Sequence, residues 1–230
     1  MKTIDTRIIP NFLSDSEIAT IEQFVMQNPD ETWDSWHEKD NQRIVDANYY
    51  DFDFYNAKNQ AIIDILKPKF DQHFGSDLYI QQIHILNAVL PYTVHSDAIL
   101  RDGIALPEGY GPAWTFIIPV ETVNSHTIVF NEYSEEATSE LDNQITKDIV
   151  FRTQTQKPYR PPRIDDETAQ KYFSHIDRKS LDYLSIKEIF PWTKGSLFAA
   201  DRRSFHTSDN FLANGLKYKR AILSWTAAPL

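Results

Sequence analysis

Beyond Gly75 the apolar residues come in short runs rich in β-branched and aromatic side chains: LYIQQIHILNAVL at 78–90, WTFIIPV at 114–120 and HTIVF at 126–130, with Gly, Pro, Asn and Asp between them. Runs so short and so often broken form strands rather than helices. The same texture returns in GSLFAA from Gly195 and KYKRAILSWTA from Lys217, on either side of His206. The N-terminal region differs. Ser14 and Glu17 have the spacing of a capping box, and Ile18, Ile21 and Val25 follow at helical spacing until Asn28-Pro29, which predicts a helix over about 14–27. Residues 57–74 place Ile62, Ile65, Leu66 and Phe70 on one helical face, with Pro68 expected to kink or interrupt the element. Helices first and then many short strands predict a mainly β fold, an antiparallel sandwich or barrel with flanking α-helices.

At 230 residues the chain is expected to form a single domain, with a helical flank over 1–76 and core strands over about 78–130 and 190–228. The polar stretch 131–190, which carries Pro158, Pro161 and Pro162 and a modest helical pattern at 165–175, reads as an insertion or lid. The aromatic clusters WDSW (33–36) and NYYDFDFY (48–55) read as packing of the helices against the sheet. A net charge of −10 argues against a nucleic-acid partner, whose phosphates call for many Lys and Arg. No apolar run approaches the roughly 20 residues that span a bilayer, so no membrane partner is expected. The opening MKTIDTRIIPNFLSDSE lacks the basic flank and apolar stretch of a secretory signal; a cytoplasmic chain, monomer or homodimer, is expected. With no cysteine, any metal must be held by His, Asp or Glu.

In VHSDA, His95 and Asp97 are two residues apart, so on extended backbone their side chains share a face. A third ligand from a distant strand would complete two imidazoles and one carboxylate, a facial set that leaves positions open on iron(II). His206, in DRRSFHTSDNF, is the candidate. Fourteen residues beyond it lies Arg220, sharing a strand face with Ile222 and Ser224. A guanidinium beside the metal could clamp the far carboxylate of a dicarboxylate cosubstrate, with the Ser224 hydroxyl adding a hydrogen bond. Asn87, Tyr92 and Thr127 are candidate polar neighbours of that cosubstrate. His126 is a candidate substrate contact, while His37, His73, His84 and His175 read as structural or exposed. Trp114 and Trp225 read as core or pocket wall, and Arg101 as a solvated turn residue.

The order of helix, H-x-D, apolar strand, G-S-L-F strand, distal His and R-x-x-x-S resembles the iron(II)/2-oxoglutarate-dependent dioxygenase superfamily, and NFLSDSE resembles the start of its prolyl-hydroxylase-like and phytanoyl-hydroxylase-like branch. The resemblance implies a double-stranded β-helix (a jelly roll, cupin-like). It also implies iron(II) on His95, Asp97 and His206, 2-oxoglutarate on Arg220, and O2 as co-reactant. It implies decarboxylation of 2-oxoglutarate to succinate, coupled to hydroxylation of a small molecule, amino acid or protein side chain. Asp97 favours hydroxylation or desaturation over halogenation, for which family members carry Gly or Ala, and a hydroxylase is expected. The sequence departs from the family in two places. NSHTIVF stands where a G-x-T is common, and 109 residues separate Asp97 from His206. A cupin-like metal-binding or sensing protein without turnover is the alternative, and a metal-dependent hydrolase or isomerase a third.

Overall fold

The computed structural model describes residues 4–97, 106–133, 152–153, 164–182 and 184–230. In chain order the elements are β1 (Arg7–Ile9), α1 (Asp15–Gln27), β2 (Glu31–Lys39), β3 (Gln42–Phe52), α2 (Gln60–Phe74), β4 (Tyr79–Ala88), β5 (Tyr110–Pro119) and β6 (His126–Tyr133). There follow β7 (Arg152–Thr153), α3 (Asp166–Tyr172), β8 (Ile186–Pro191), β9 (Leu197–Asp201), β10 (Ser204–Ser208) and β11 (Lys219–Pro229). Seven strands form one sheet in the order β1-β9-β5-β11-β4-β3-β2, and β10, β6, β7 and β8 form a second, centred on β6; every pairing is antiparallel. Two antiparallel sheets facing each other across a shared interior make the double-stranded β-helix, or jelly roll.

Helix α1 begins where the capping box places it. The Glu17 amide donates to Ser14 Oγ and the Ser14 amide donates to the Glu17 carboxylate at 2.7 Å. Helix α2 runs through Pro68 instead of ending there, because Ile62 and Leu66 before it and Phe70 after it are all buried on one face. The helical flank expected over 1–76 also contains a β-hairpin, β2–β3, that the sequence reading passed over. Its two-residue turn is Asp40-Asn41, both at positive φ (53° and 59°), as a turn matching the twist of a hairpin requires.

Alternation along the strands sorts side chains into layers. On β5, Trp114, Phe116 and Ile118 join the core that α1 and α2 build against the outer face of the large sheet, while Thr115 and Ile117 face the interior between the sheets. Each such large apolar side chain contributes roughly 1.5–3 kcal/mol by leaving water. On β6, Ile128 and Phe130 point the other way, into a third cluster with Phe173, Leu181, Leu184 and Phe205. That cluster corrects part of the expected lid. Residues 164–191 supply α3 and β8 and form a layer on the outer face of the small sheet. Apart from the end of β6 and the short β7, the rest of the proposed insertion lies outside the described residues, as does the turn carrying Arg101.

Candidate metal centre

His95 follows β4 and makes a single antiparallel bridge with His206 on β10. Each amide donates to the other's carbonyl, at 3.0 Å from His95 and 2.8 Å from His206. Such a reciprocal pair sets two side chains next to one another on one face, and the two ring centroids are 4.3 Å apart. Asp97, two residues on, points to the same side, with its carboxylate 3.4 Å from His206 Nε2 and 4.0 Å from His95 Nε2. The three potential ligand atoms all lie within 4.8 Å of one another.

The surroundings fix which atoms face that point. A backbone carbonyl can only accept, so His95 Nδ1–H donates to Thr93 O at 2.8 Å and His206 Nδ1–H to Ser204 O at 3.2 Å. Both Nε2 lone pairs are left for a shared cation. The Thr115 hydroxyl donates to Asp97 Oδ2 at 2.6 Å. The wholly buried Arg202 anchors the Asp97 backbone, its Nε donating to Asp97 O at 3.0 Å while its own carbonyl accepts from the Asp97 amide at 2.8 Å. Burial alone would raise the Asp97 carboxyl, but His206, His95, the Thr115 hydroxyl and Arg202 together hold it below its usual range. Burial, with His206 beside it, pushes His95 down to about 4, against a weaker opposing pull from Asp97. A neutral imidazole and an ionised carboxylate are the forms that bind metal.

The cluster opens into a small cavity of about 60 Å³ between the two sheets. Leu86, Ile117 and Leu223 give it an apolar wall, and Tyr49, Tyr92, Trp192 and Trp225 an aromatic one. Tyr49 and Tyr92 join hydroxyls at 2.5 Å, and Tyr49 stacks on Trp33 at 3.8 Å between centroids. Burial pushes Tyr92 up to about 12 and Tyr49 well above the ordinary phenol value, so both remain neutral donors. Among the described residues, one Lys or Arg lines the cavity: Lys219, at the start of β11 and 2% exposed. Its ammonium donates to Ser125 Oγ at 3.1 Å and lies 3.9 Å from the centre of the Trp192 ring. Burial pushes it down to about 7, with Asp209 acting in the opposite sense.

Arg220 is elsewhere, and the expectation for it is corrected. It does share a face with Ile222 and Ser224, but that face is the outer one, under the helices: Arg220 Nη1 pairs with Glu22 Oε1 of α1 at 2.7 Å. Ser224 and Asn87 go with it. Ser224 Oγ donates to Gln82 O at 2.9 Å, and Asn87, the register partner of Arg220, reaches Asn48 Oδ1 at 3.4 Å. Tyr92 and Thr127 do line the cavity, with Thr127 Oγ1 accepting from Trp192 Nε1 at 2.9 Å. His126 donates through Nδ1 to Asp209 Oδ2 at 2.9 Å. His84 is buried beside Asp51, and His175 Nε2 donates to Tyr92 O at 3.1 Å. Trp114 is core and Trp225 is cavity wall. Lys219, Ser125 and Asp209 were passed over in the sequence. The available signal was strand alternation, which puts Lys219, Ala221, Leu223 and Trp225 on one face as readily as it puts Arg220, Ile222 and Ser224 on the other.

No family model and no curated protein sequence matches the chain. Solved structures do. The chain is similar to the epimerase SnoN in complex with Fe3+, alpha ketoglutarate and nogalamycin RO, at 13% identity over 97% of this chain and 78% of that one, with a TM-score of 0.56. It is similar to the non-heme alpha ketoglutarate dependent carbocyclase SnoK from nogalamycin biosynthesis, at 13% identity over 97% and 79%, TM-score 0.53. It is also similar to HygX from Streptomyces hygroscopicus with nickel and 2-oxoglutarate bound, at 11% identity over 99% and 84%, TM-score 0.50. At these identities the likeness shows the fold: the jelly roll that these proteins have in common.

Proposed function

We propose that this chain is an iron(II)- and 2-oxoglutarate-dependent oxygenase, a hydroxylase, holding iron on His95, Asp97 and His206 and the far carboxylate of 2-oxoglutarate on Lys219. The observation that carries the reading is the pairing of two features in one cavity: a convergent two-His, one-carboxylate set and a buried ammonium at the start of β11. The donor set suits iron(II), since nitrogen and oxygen ligands on one side leave cis positions open. The cavity suits the cosubstrate. Among the described residues, no carboxylate is in ion-pair contact with Lys219, so a ligand carboxylate would complete its hydrogen bonding. When bound, iron and 2-oxoglutarate supply the oxygen activation, with 2-oxoglutarate decarboxylated to succinate.

The protein's part is to bind, orient and exclude water. His95 and His206 present Nε2 because their Nδ1 protons are committed to Thr93 and Ser204. Thr115 and Arg202 fix the rotation of Asp97. Leu86, Ile117 and Leu223 keep the space between metal and ammonium dry, which strengthens the charge pairing at Lys219. The Tyr49–Tyr92 pair and Trp225 wall the cavity at the metal end, since Trp225 is in register with Thr115, the partner of Asp97. The substrate is a small molecule, an amino acid or a protein side chain.

The test is anaerobic titration with iron(II) and 2-oxoglutarate, following the visible charge-transfer band of the chelate, in wild type, His206→Ala and Lys219→Ala. The expected result is a band in wild type, none in His206→Ala, and a much higher 2-oxoglutarate requirement in Lys219→Ala. Metal binding without a band in wild type would sink the reading and favour a cupin-like metal-binding protein without turnover.

A further inference from the structure

We propose that Asp209, acting through Ser125, is a positioning residue that keeps the Lys219 ammonium charged and aimed at the cosubstrate's far carboxylate; this rests on the reading of Lys219 above. Three linked contacts carry it. Lys219 Nζ donates to Ser125 Oγ at 3.1 Å, and the Ser125 hydroxyl proton donates onward to Asp209 Oδ1 at 2.6 Å. The other carboxylate oxygen accepts from His126 Nδ1 at 2.9 Å and from Asn214 Nδ2 at 3.3 Å. Asp209 is 1% exposed, and these bonds hold its carboxyl below the usual range despite burial. It is therefore a fixed, poorly screened negative charge one hydroxyl away from the ammonium.

The interposed serine has a chemical consequence. A carboxylate in direct contact would take up the ammonium's strongest donor direction and compete with a ligand. Ser125, its proton spent on Asp209, turns a lone pair to Lys219, so the charge of Asp209 is felt while the remaining ammonium protons stay available. Among the described residues, the other ionisable groups around Lys219 are His126 on β6 and His175 after α3, with the Trp192 and Phe211 rings and Ala88 of β4 beside it. Asp209 is the charge that opposes the lowering of Lys219 by burial.

Two measurements test this in the full chain. In metal-free protein carrying 13Cε-labelled lysine, the Lys219 signal, identified by its loss in Lys219→Arg, should titrate near neutral pH and move to lower pH in Asp209→Asn. With iron(II) under anaerobic conditions, Asp209→Asn should weaken 2-oxoglutarate binding by about tenfold at pH 8 and hardly at all at pH 6, since each tenfold tracks one pH unit of lost protonation. A loss equal at both pH values would mark a merely structural role and overturn the proposal, as would a Lys219 titration unmoved by Asp209→Asn. If the titration moves while 2-oxoglutarate binding is indifferent to both Asp209→Asn and Lys219→Ala, the coupling stands, the link to cosubstrate is overturned and the reading of Lys219 falls with it. Should Asp209→Asn not fold, Ser125→Ala must show the same pH-dependent loss.

Discussion

Lys219 and Arg220 are neighbours in the chain with the same formal charge, and β11 sends them to opposite sides of the large sheet. Arg220 meets Glu22 of α1 in a direct ion pair, with about a third of its side chain in water. Lys219 is buried in the cavity between the sheets, with its carboxylate partner held one serine away. The first arrangement fastens a helix to a sheet and leaves little charge for anything else. The second costs stability, because an ammonium out of water without a touching counter-ion is expensive, and that cost is what leaves it able to receive a ligand carboxylate.

The largest effect expected is on cosubstrate binding. Lys219→Ala should weaken 2-oxoglutarate by about 100-fold, the loss of charge-assisted hydrogen bonds of roughly 1.5–3 kcal/mol in a dry site. Arg220→Ala should change the same titration by no more than about threefold. Reversal of that order would return the clamp to Arg220.

Next comes stability. Urea unfolding of the metal-free chain at pH 7 should show Lys219→Met more stable than wild type by on the order of 2 kcal/mol, since an apolar side chain of similar length fills the space without burying charge. The sign of its pH dependence follows from burial. Burial takes Lys219 from the ordinary 10.5 down to about 7, so folding expels its proton, and the penalty is present in full below about 7. It is relieved as pH rises from 7 towards 10.5, so the advantage of Lys219→Met should shrink across that window. A constant or widening gap would show that Lys219 is not the titrating group.

The smallest effect belongs to the outer pair. Glu22→Gln should shift the urea midpoint by less than about 1 kcal/mol equivalent, as partly solvated pairs do. It should leave cosubstrate binding alone. A large loss of 2-oxoglutarate affinity in Glu22→Gln would erase the distinction between the two faces.

Much of this molecule is legible along the chain. The Ser14–Glu17 box and the Ile18, Ile21 and Val25 spacing locate α1 because caps and helical periodicity are local. The strand-rich middle and end are legible because short β-branched runs have few other uses. His95, Asp97 and His206 converge as their order suggested. The hairpin was harder, since WDSW and NYYDFDFY are aromatic enough to be read as packing; the turn signal was Asp40-Asn41, a pair that tolerates positive φ.

What the sequence by itself determined is a mainly antiparallel β sandwich or barrel, the helical start and the two-residue spacing that puts an imidazole and a carboxylate on one strand face. What only the tertiary structure decided is which face of β11 looks inward. Helices cover one side of that strand and the small sheet lies across the other, so KRAILSWTA is largely buried along both faces and carries a cation on each, Lys219 on one and Arg220 on the other, with no solvated side to mark the outside. A slip of one residue exchanges every inward side chain for an outward one. The register of β11 between β4 and β5 removes the ambiguity, setting Arg220 opposite Asn87 on the outside and leaving Lys219, opposite Ala88, to the cavity.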